Sequence, residues 1–348
     1  MYDPHGTLLE ETDGEIVVED NKVHQLHERP SAQHLERILT LELARVTEAA
    51  AIAASLQSGR GDEHSADQAA VDAMRKALNT LDIDGTVVIG EGERDEAPML
   101  YIGEKVGTGK GPKVDIALDP LEGTTLTAKA MADALAVVAI AEGGSLLHAP
   151  DTYMDKIAIG GGYPEDIVDL DADPRDNIKA LARAKGVPTR EITACILDRP
   201  RHGTLIEKVR EAGAAVKLIS DGDIAGVMHT ADPDTGIDIY IGQGGAPEGV
   251  LAAAALRCIG GQIQGRLVFR TEDERKRAAR IGIKDLTRKY KTLDLASGDV
   301  MFAATGVTSG SMLEGIRRPG GFITSHTIVM RSHTGTVRWI KTRHRAKP

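Results

Sequence analysis

Aromatic residues, cysteines and long apolar runs are all scarce in this sequence. Aromatic residues make up only 3% of its 348 residues, so we expect a core built mostly from Ala, Val, Ile and Leu. The two cysteines, Cys195 and Cys258, lie in apolar runs, which indicates reduced core residues of a cytosolic protein. No apolar run approaches the roughly 20 residues of a membrane-spanning helix, and the acidic N-terminus has no signal-peptide layout. These absences predict a soluble, cytoplasmic protein.

Basic residues are fewer than acidic residues, 42 against 52. The net charge of −10 and the pI near 5.6 argue against a nucleic-acid surface, which needs a clustered basic face to release counterions. The short basic tail from Arg331 to Lys347 is interpreted as solvated charge on terminal strands. We therefore expect neither a nucleic-acid partner nor a membrane partner.

The order of the predicted elements indicates an α/β fold in more than one part. Residues 1–34 are polar and form an N-terminal extension, and two helices followed by strands make residues 35–186 an α+β domain. Strands and helices alternate from residue 187 to 348, a pattern that is typical of a parallel sheet with crossover helices. The length of 348 residues agrees with two domains or with one elaborate α/β unit.

The segment Asp119-Pro120-Leu121-Glu122-Gly123-Thr124 follows the apolar run Val114–Leu118. Proline cannot continue the hydrogen-bond ladder of a strand, so the segment predicts a turn that carries two carboxylates and a hydroxyl. Taken alone, two acids and a threonine after a strand are a weak signal.

Acids also follow another strand and open a helix. The strand Thr86–Ile89 runs into a glycine-loosened turn that holds Glu91 and Asp95. Asp67 lies in the first turn of a helix predicted from about Ser65, where an acid also stabilises the helix dipole. Exposed loop charge and helix-dipole stabilisation therefore stay open as structural alternatives.

Three loops of the second half carry further polar groups at the ends of strands. They are Asp198–His202, Asp221–Asp223 and Gly242–Gly249. Ligands of open parallel sheets bind beyond the carboxyl ends of the strands, which is where these loops are predicted to lie. Tyr153, an aromatic in a polar stretch, either packs on the surface or covers a ligand.

If these acids converge, they cannot all be ionised, because like charges a few ångströms apart raise one another's pKa. Either cations lie among them or some stay protonated. Since no cluster of His and Cys accompanies them, an oxygen-only site for Mg²⁺ or Mn²⁺ is favoured over zinc. The acids concerned are Asp67, Glu91, Asp95, Asp119, Glu122 and Glu248.

Two such ions about 3.5–4 Å apart can clamp an in-line phosphoryl displacement. Arg199 and Arg201 would supply forked donors for phosphate, and the backbone of Gly244 and Gly245 would add N–H groups before a helix. Residues 35–186 are then expected to bind metal and residues 187–348 to bind substrate. Competing motifs fail, since the dinucleotide fingerprint lacks its third glycine and the P-loop lacks its Ser or Thr.

The segment 119–124 resembles the D-P-[IL]-[DE]-G-[ST] signature of the lithium-sensitive, metal-dependent phosphatases. Segments 90–101, 200–202, 221–223 and 244–249 narrow the resemblance to the bacterial class II fructose-1,6-bisphosphatases, from about Leu41 to the C-terminal strands. The resemblance implies a layered αβαβα sandwich and hydrolysis of the 1-phosphate of fructose 1,6-bisphosphate in gluconeogenesis. It also implies two or more Mn²⁺ or Mg²⁺ ions and a homo-oligomer, either a dimer or a tetramer.

The resemblance further implies roles for individual residues. Asp95 would accept the proton of the attacking water, and Thr124 would polarise the site. The implied metal ligands are Asp67, Glu91, Asp119, Glu122 and Glu248. The implied substrate-binding residues are Glu122, Gly123, Thr124, Tyr153, Arg199, Pro200, Arg201, Asp221, Gly222, Asp223 and Gly245.

The chain departs from the family pattern at three positions, two near the implied metal ligand Asp67 and one at an implied substrate-binding residue. Gln68 replaces a Gly, Glu63 replaces a Lys near the metal acids, and Arg199 replaces a frequent Lys, so metal preference and the distal phosphate contact are affected. Alternative functions are a sedoheptulose-1,7-bisphosphatase, an inositol-phosphatase-like enzyme and a phosphosugar-binding regulator without turnover. The sequence indicates neither a subunit number nor an effector.

Overall fold

The computed structural model describes residues 39–92 and 99–346 in full, and the backbone of residues 16–19 and 22–25. The chain divides into two compact units, residues 1–34 and residues 35–348. In the first unit, β1 (Ile16–Glu19) and β2 (Lys22–Gln25) form an antiparallel hairpin.

The strands of the second unit form two sheets. In chain order they are β3 (Asp84–Ile89), β4 (Lys105–Val106), β5 (Lys113–Glu122), β6 (Leu135–Glu142), β7 (Tyr153–Ile159), β8 (Thr193–Leu197), β9 (Ala215–Ile219), β10 (Ile239–Gly245), β11 (Gln262–Val268), β12 (Tyr290–Lys291), β13 (Val300–Gly306), β14 (Phe322–Arg331) and β15 (Thr336–Arg345).

The helices begin and end at residues that suit helix termini. Asp62 and Asp173 cap two N-termini with their carboxylates, and Gly186 ends one helix in the left-handed conformation. The helices are α1 (Leu39–Ala54), α2 (Glu63–Leu78), α3 (Thr124–Ala128), α4 (Pro174–Lys185), α5 (Gly203–Glu211), α6 (Asp223–Met228), α7 (Ala246–Ile259), α8 (Glu272–Arg280) and α9 (Thr292–Leu295).

The larger sheet has the strand order β15-β14-β13-β6-β5-β3-β4. All its neighbouring strands are antiparallel except β3 and β5, which are parallel. The smaller sheet has the order β12-β11-β7-β10-β8-β9. Its strands β10, β8 and β9 are parallel, as the alternation of strands and helices predicts.

The prediction of a parallel sheet is wrong for the rest of the smaller sheet. β7 is antiparallel to both of its neighbours, β10 and β11, and it precedes residue 186 in the chain. The larger sheet likewise takes β13, β14 and β15 from the C-terminal part. Both sheets therefore contain strands from either side of residue 186, and the predicted division of residues 35–348 into two domains stays a prediction.

Three hydrophobic clusters separate the layers. Helices α1 and α2 cover one face of the larger sheet. The second cluster contains α7 and strands of both sheets, and almost all of α7 is buried because its alanines let the two sheets approach it closely. Helices α4 and α5 cover the outer face of the smaller sheet. This order of layers confirms the predicted αβαβα sandwich.

The strand β5 does not end in the predicted turn at Pro120. It continues to Glu122, and its pairing with β6 shifts register between Asp119 and Glu122. Pro120 lies within this β-bulge, where its missing N–H costs no ladder hydrogen bond. The predicted turn is therefore wrong, and both acids belong to a strand.

Two further boundaries differ from the predictions. β10 runs to Gly245 and α7 begins at the next residue, so the predicted loop 242–249 is a strand end joined directly to a helix. α2 begins at Glu63, which places Asp67 in the second turn of the helix instead of the first.

Two predictions from the scarce residue types can be compared with the structure. Cys195 and Cys258 are buried and free, as predicted. Across the part of the chain that the structure describes, no helix is both long enough and apolar enough to cross a membrane.

Candidate active site

A cavity of about 320 Å³ lies where the ends of β3 and β5 meet the N-terminal turn of α7. A larger cavity of about 490 Å³, beside residues 144–148, is lined by none of the predicted site residues that the structure describes. The smaller cavity has an acidic wall. Its charged and hydroxyl-bearing lining residues are Asp67, Glu91, Asp119, Glu122, Thr124, Asp151, Asp221 and Glu248.

The backbone around the β5 bulge fixes the two acids of that strand. The Leu121 N–H donates to Asp119 Oδ1 at 3.0 Å, and the Ile224 N–H donates to Glu122 Oε1 at 3.3 Å. Gly123 then adopts a left-handed φ of 86°, which a residue with a side chain rarely adopts. α3 begins directly afterwards, so a strand, a bulge and a helix start hold the acids and Thr124 at one place.

The junction of β10 and α7 supplies the acid on the opposite wall. Glu248 lies in the first turn of α7. A Cβ on Gly245 would lie 1.8 Å from Glu248 Oε2, so this position needs glycine to leave room for the carboxylate. Glu248 Oε2 is buried and, within the described residues, has no hydrogen-bond partner.

Three of the carboxylates form a compact cluster. Asp119, Glu122 and Glu248 each offer an oxygen atom, and these oxygens lie within 4.8 Å of one another. Asp67 and Glu91 join the group, since Asp67 raises the pKa of Glu91 and both interact electrostatically with Asp119. All five predicted metal ligands therefore converge.

Burial raises the pKa of every one of these acids, and the charges of neighbouring carboxylates add to it for all of them except Asp67. Burial is the largest cause for Glu91, whose pKa is raised to about 9, and the charges of Asp67 and Asp119 add to it. Burial likewise raises the pKa of Glu248 to about 7 and that of Asp119 to about 6. The pKa of Glu122 lies well above its ordinary value because of burial and the charge of Asp119. In the absence of a cation, this group must hold protons at neutral pH.

The donor set fits a hard divalent cation. Every ligand atom is a carboxylate oxygen, which Mg²⁺ and Mn²⁺ prefer, and one of them, Glu248 Oε2, is buried without a hydrogen bond. A cation among these acids would supply the missing partner and would lower their pKa values. The described residues therefore contain an acidic cluster that could bind metal.

Cationic groups lie around Tyr153, at the start of β7. The guanidinium carbon of Arg270 lies 4.0 Å from the ring centroid of Tyr153, and that of Arg201 lies 5.0 Å from it. Two nitrogens of Arg201, Nε and Nη2, donate to the Gln243 carbonyl at 3.2 and 2.6 Å. The backbone of Gln243 is also held through its N–H, which donates to His202 Nε2 at 2.9 Å.

The segment 221–223 connects the acidic wall to the smaller sheet. Asp221 lines the cavity, and burial raises its pKa while the charge of Arg199 lowers it. Gly222 has a left-handed φ of 82°, and Asp223 is the first residue of α6. The Asp223 carboxylate forms an ion pair with Lys156, whose side chain is completely buried.

The predicted residues fall into three groups by location. Eight line the cavity, seven do not, and one lies outside the described residues. Lining the cavity are Asp67, Glu91, Asp119, Glu122, Gly123, Thr124, Asp221 and Glu248. Absent from its lining are Tyr153, Arg199, Pro200, Arg201, Gly222, Asp223 and Gly245. Asp95 lies outside the described residues.

Three residues near the site were not predicted from the sequence. Asp151 lines the cavity, Arg270 stacks on Tyr153, and Lys156 pairs with Asp223. The site residues predicted from the sequence end at Glu248, so Arg270 was missed. For Lys156 the sequence does contain a signal, because a lysine that directly precedes the apolar run Ile157–Ile159 of a strand is unusual.

Comparison with known proteins gives consistent matches. The profile of the family described as "Bacterial fructose-1,6-bisphosphatase, glpX-encoded" matches residues 37–344. "Fructose-1,6-bisphosphatase 1 class 2" of Escherichia coli K12 is 46% identical over 323 residues, which cover 89% of this chain and 96% of that protein. Proteins named "Fructose-1,6-bisphosphatase class 2" from E. coli O6:H1 and from Shigella flexneri match with the same identity and coverage.

Proposed function

This chain belongs to the family of bacterial, glpX-encoded fructose-1,6-bisphosphatases, and we propose on that basis that it hydrolyses fructose 1,6-bisphosphate to fructose 6-phosphate and phosphate in gluconeogenesis. The resemblance seen in the motifs is thereby confirmed. The observation that carries the proposal is the convergence of five carboxylates on one cavity, with two guanidinium groups stacked on Tyr153 near the smaller sheet.

The five acids would hold the cations of the reaction, two or more Mn²⁺ or Mg²⁺ ions. The proposed ligands are Asp67, Glu91, Asp119, Glu122 and Glu248. When bound, the ions would polarise the phosphoryl group and lower the pKa of the attacking water. The protein contributes a rigid, mostly buried frame, because the bulge of β5 and the first turn of α7 fix three of the ligands.

Two residues would act on the reacting groups directly. Thr124 begins α3 and lines the cavity, so its hydroxyl can donate a hydrogen bond to a phosphoryl oxygen there. Asp95 would accept the proton of the attacking water, a role proposed from the family motif alone.

Recognition of the second phosphate is assigned to the cationic groups around Tyr153. Arg201 is fixed by two hydrogen bonds to the Gln243 carbonyl, and the guanidinium carbon of Arg270 lies 4.0 Å from the ring centroid of Tyr153. Both guanidinium groups can present N–H donors to a phosphate, and Arg199 would add a third. Other proposed substrate contacts are Glu122, Gly123, Pro200, Asp221, Gly222, Asp223 and Gly245.

The remaining features of the proposal concern the whole protein. Four of the proposed metal ligands precede residue 186, and most proposed substrate contacts follow it, which supports a metal-binding part (35–186) and a substrate-binding part (187–348). Glu248 is the ligand that crosses this division. We further propose a cytoplasmic homo-oligomer, a dimer or a tetramer, which light scattering of the purified protein would test.

The deciding experiment measures phosphate release from a panel of substrates. Fructose 1,6-bisphosphate, sedoheptulose 1,7-bisphosphate and inositol 1-phosphate would each be assayed with Mn²⁺, with Mg²⁺ and with EDTA. We expect turnover of fructose 1,6-bisphosphate with at least one of the two ions and none in EDTA. Folded protein that releases no phosphate with either ion would refute the proposal, and a preference for either other substrate would replace it.

A further inference from the structure

Lys156 is the only buried lysine among the residues whose burial the structure describes. Its side chain is 0% exposed, and it extends from β7, which lies between β10 and β11 in the smaller sheet. A lysine is almost never buried unless it is paired, because removing an ammonium group from water is costly. The contacts of Lys156 should therefore explain its position.

The ammonium group has two partners on different elements. Lys156 Nζ forms an ion pair with Asp223, the first residue of α6. The same Nζ donates to the carbonyl of Gly245, the last residue of β10, at 2.9 Å. One side chain thus connects β7 to the start of α6 and to the junction that leads into α7.

The neighbouring glycines leave the space that this ion pair occupies. A Cβ on Gly244 would lie 2.1 Å from Asp223 Oδ2 and 3.0 Å from Lys156 Nζ. A Cβ on Gly249 would lie 3.3 Å from Lys156 Cδ. The glycines near the junction of β10 and α7 therefore admit the lysine and its carboxylate partner, and larger residues there would displace them.

Both partners of Lys156 are close in the chain to residues that contact or form the acidic wall of the cavity. The N–H that follows Asp223, that of Ile224, donates to Glu122. Three residues after Gly245 comes Glu248, whose pKa the charge of Lys156 lowers and that of Asp223 raises. Asp223 also accepts a hydrogen bond from the Tyr240 hydroxyl at 3.4 Å, so the carboxylate has two donors that do not belong to a substrate.

We propose that Lys156 is a positioning residue of the active site, which holds Asp223 ready for the sugar and fixes the Gly245 carbonyl so that Glu248 faces the bound metal. The inference rests on the proposed function for its substrate. It adds a residue that touches neither sugar nor metal and that links the two binding steps through separate contacts. Loss of the ammonium group should therefore affect the KM for sugar and the affinity for metal by different routes.

The test compares Lys156→Met with wild type by two measurements. The affinity for Mn²⁺, measured by electron paramagnetic resonance in the absence of substrate, should fall by about fivefold or more. The KM for fructose 1,6-bisphosphate at saturating Mn²⁺ should rise about tenfold, with a smaller change in kcat. The matched control is Lys208→Met, which removes a half-exposed lysine paired with Asp173 and should leave both values within about twofold.

A second pair of variants separates the two routes. Asp223→Asn should itself raise KM, and adding Lys156→Met to it should raise KM no further, because the lysine acts on sugar binding through Asp223. In the same background, Lys156→Met should still weaken Mn²⁺ binding, because the Gly245 contact is lost. The double variant leaves no unpaired charge in the interior, so its Mn²⁺ affinity compared with that of wild type tests the Gly245 route even if either single variant does not fold.

Several results would overturn the inference. Unchanged Mn²⁺ binding and unchanged KM in folded Lys156→Met would remove both routes, and KM increases that multiply in the double variant would exclude action through Asp223. If wild-type protein binds Mn²⁺ but does not turn over fructose 1,6-bisphosphate, the proposed function fails. The binding measurement would then still decide the role of Lys156.

Discussion

The acidic wall of the cavity and the cationic group around Tyr153 are built in different ways. The acids lie in a strand bulge, in helix turns and after a strand, and burial raises the pKa of each proposed metal ligand. Arg201 and Arg270 are exposed; the Gln243 carbonyl and the Tyr153 ring hold them, and Arg270 also forms an ion pair with Glu274 at 3.8 Å. The first region is strained when no cation is present, whereas the second carries little strain.

The difference indicates which ligand should change the stability of the protein and which should change only its affinity for substrate. Like charges held together in a buried site destabilise the folded chain until a cation neutralises them, so the metal is expected to stabilise the whole protein. Exposed arginines lose little when they are solvated, so phosphate binding should change affinity more than stability. Each prediction below tests one side of this contrast.

The largest expected effect follows from Glu122→Gln. Removal of this charge should lower phosphatase activity by at least about 100-fold, because a proposed metal ligand is lost while its shape is kept. The same change should stabilise the protein in EDTA by about 1 kcal/mol or more at neutral pH, since a neutral amide needs neither a bound proton nor a cation beside Asp119 and Glu248. Activity assays and thermal unfolding in EDTA measure the two effects.

The matched control is Glu48→Gln, at a glutamate that is 4% exposed where Glu122 is 5% exposed. Glu48 accepts a hydrogen bond from Ser325 at 2.8 Å on a different part of the fold, so its loss should not reduce activity. A Glu122→Gln variant that is less stable than wild type in EDTA would contradict the idea of a strained acidic wall.

The pH dependence of the metal-free protein gives the next effect. Glu91, Glu248 and Asp119 have pKa values of about 9, 7 and 6 in the folded chain, all above their ordinary values. Between roughly pH 5 and pH 8 the folded state therefore binds more protons than the unfolded state, and the free energy of unfolding falls as pH rises. We expect a loss on the order of 1–3 kcal/mol over this window in EDTA.

Saturating Mn²⁺ should flatten this slope, because the metal keeps the acids deprotonated in the folded state, as they are in the unfolded chain above about pH 5. Thermal unfolding in EDTA and in Mn²⁺, recorded at the same series of pH values, gives the difference between the two slopes. Burial lowers the pKa of His202 and that of His229, and because neither belongs to the acidic cluster, their contributions to the two series are equal and cancel. Parallel pH profiles with and without Mn²⁺ would contradict the prediction.

The cationic side should respond in affinity instead of stability. Arg201→Ala and Arg270→Ala should each raise the KM for fructose 1,6-bisphosphate by about 10-fold to 30-fold and change the melting temperature little. The preference for the bisphosphate over fructose 1-phosphate should shrink by the same factor, since only the distal phosphate loses a partner. Steady-state kinetics with both substrates measure this.

Arg288→Ala is a suitable control for these arginine variants. Its guanidinium carbon also lies over a tyrosine ring, at 4.9 Å from the centroid of Tyr290, but away from the residues that line the acidic cavity. It should leave both KM values unchanged. An Arg270→Ala variant with the same phosphate preference as wild type would remove Arg270 from the proposed site.

The two regions were also predictable to different degrees. The acids belong to local motifs whose residue types and spacing can be recognised in one sequence, and the family resemblance named those that converge. Arg270 lies 117 positions after Tyr153, and only the pairing of β7 with β11, which sets Val268 opposite Tyr153, brings them together. A single sequence contains no local signal for such strand pairing.

The same limit explains the errors within elements. Pro120 predicts the end of a strand by its local chemistry, but β6 continues to pair beyond it, so the chain forms a bulge. The glycines before Glu248 predict a loop, whereas they are small because Asp223 and Glu248 occupy the adjacent space. In each case a contact from a distant part of the chain overrides the local preference.

The smallest expected effect tests whether Gly245 is needed to leave room for the Glu248 carboxylate in the acidic wall. Gly245 has φ −66°, which alanine adopts easily, so Gly245→Ala adds a steric contact with Glu248 and little backbone strain. The side chain of Glu248 must rotate away, and Mn²⁺ binding should weaken by about threefold to tenfold, with near wild-type stability in EDTA. Gly203→Ala, in open space at the start of α5, is the control and should leave Mn²⁺ binding unchanged. If Gly245→Ala binds Mn²⁺ as wild type does, the Glu248 carboxylate has an alternative position that still holds the metal, and the acidic wall is less rigid than its backbone geometry indicates.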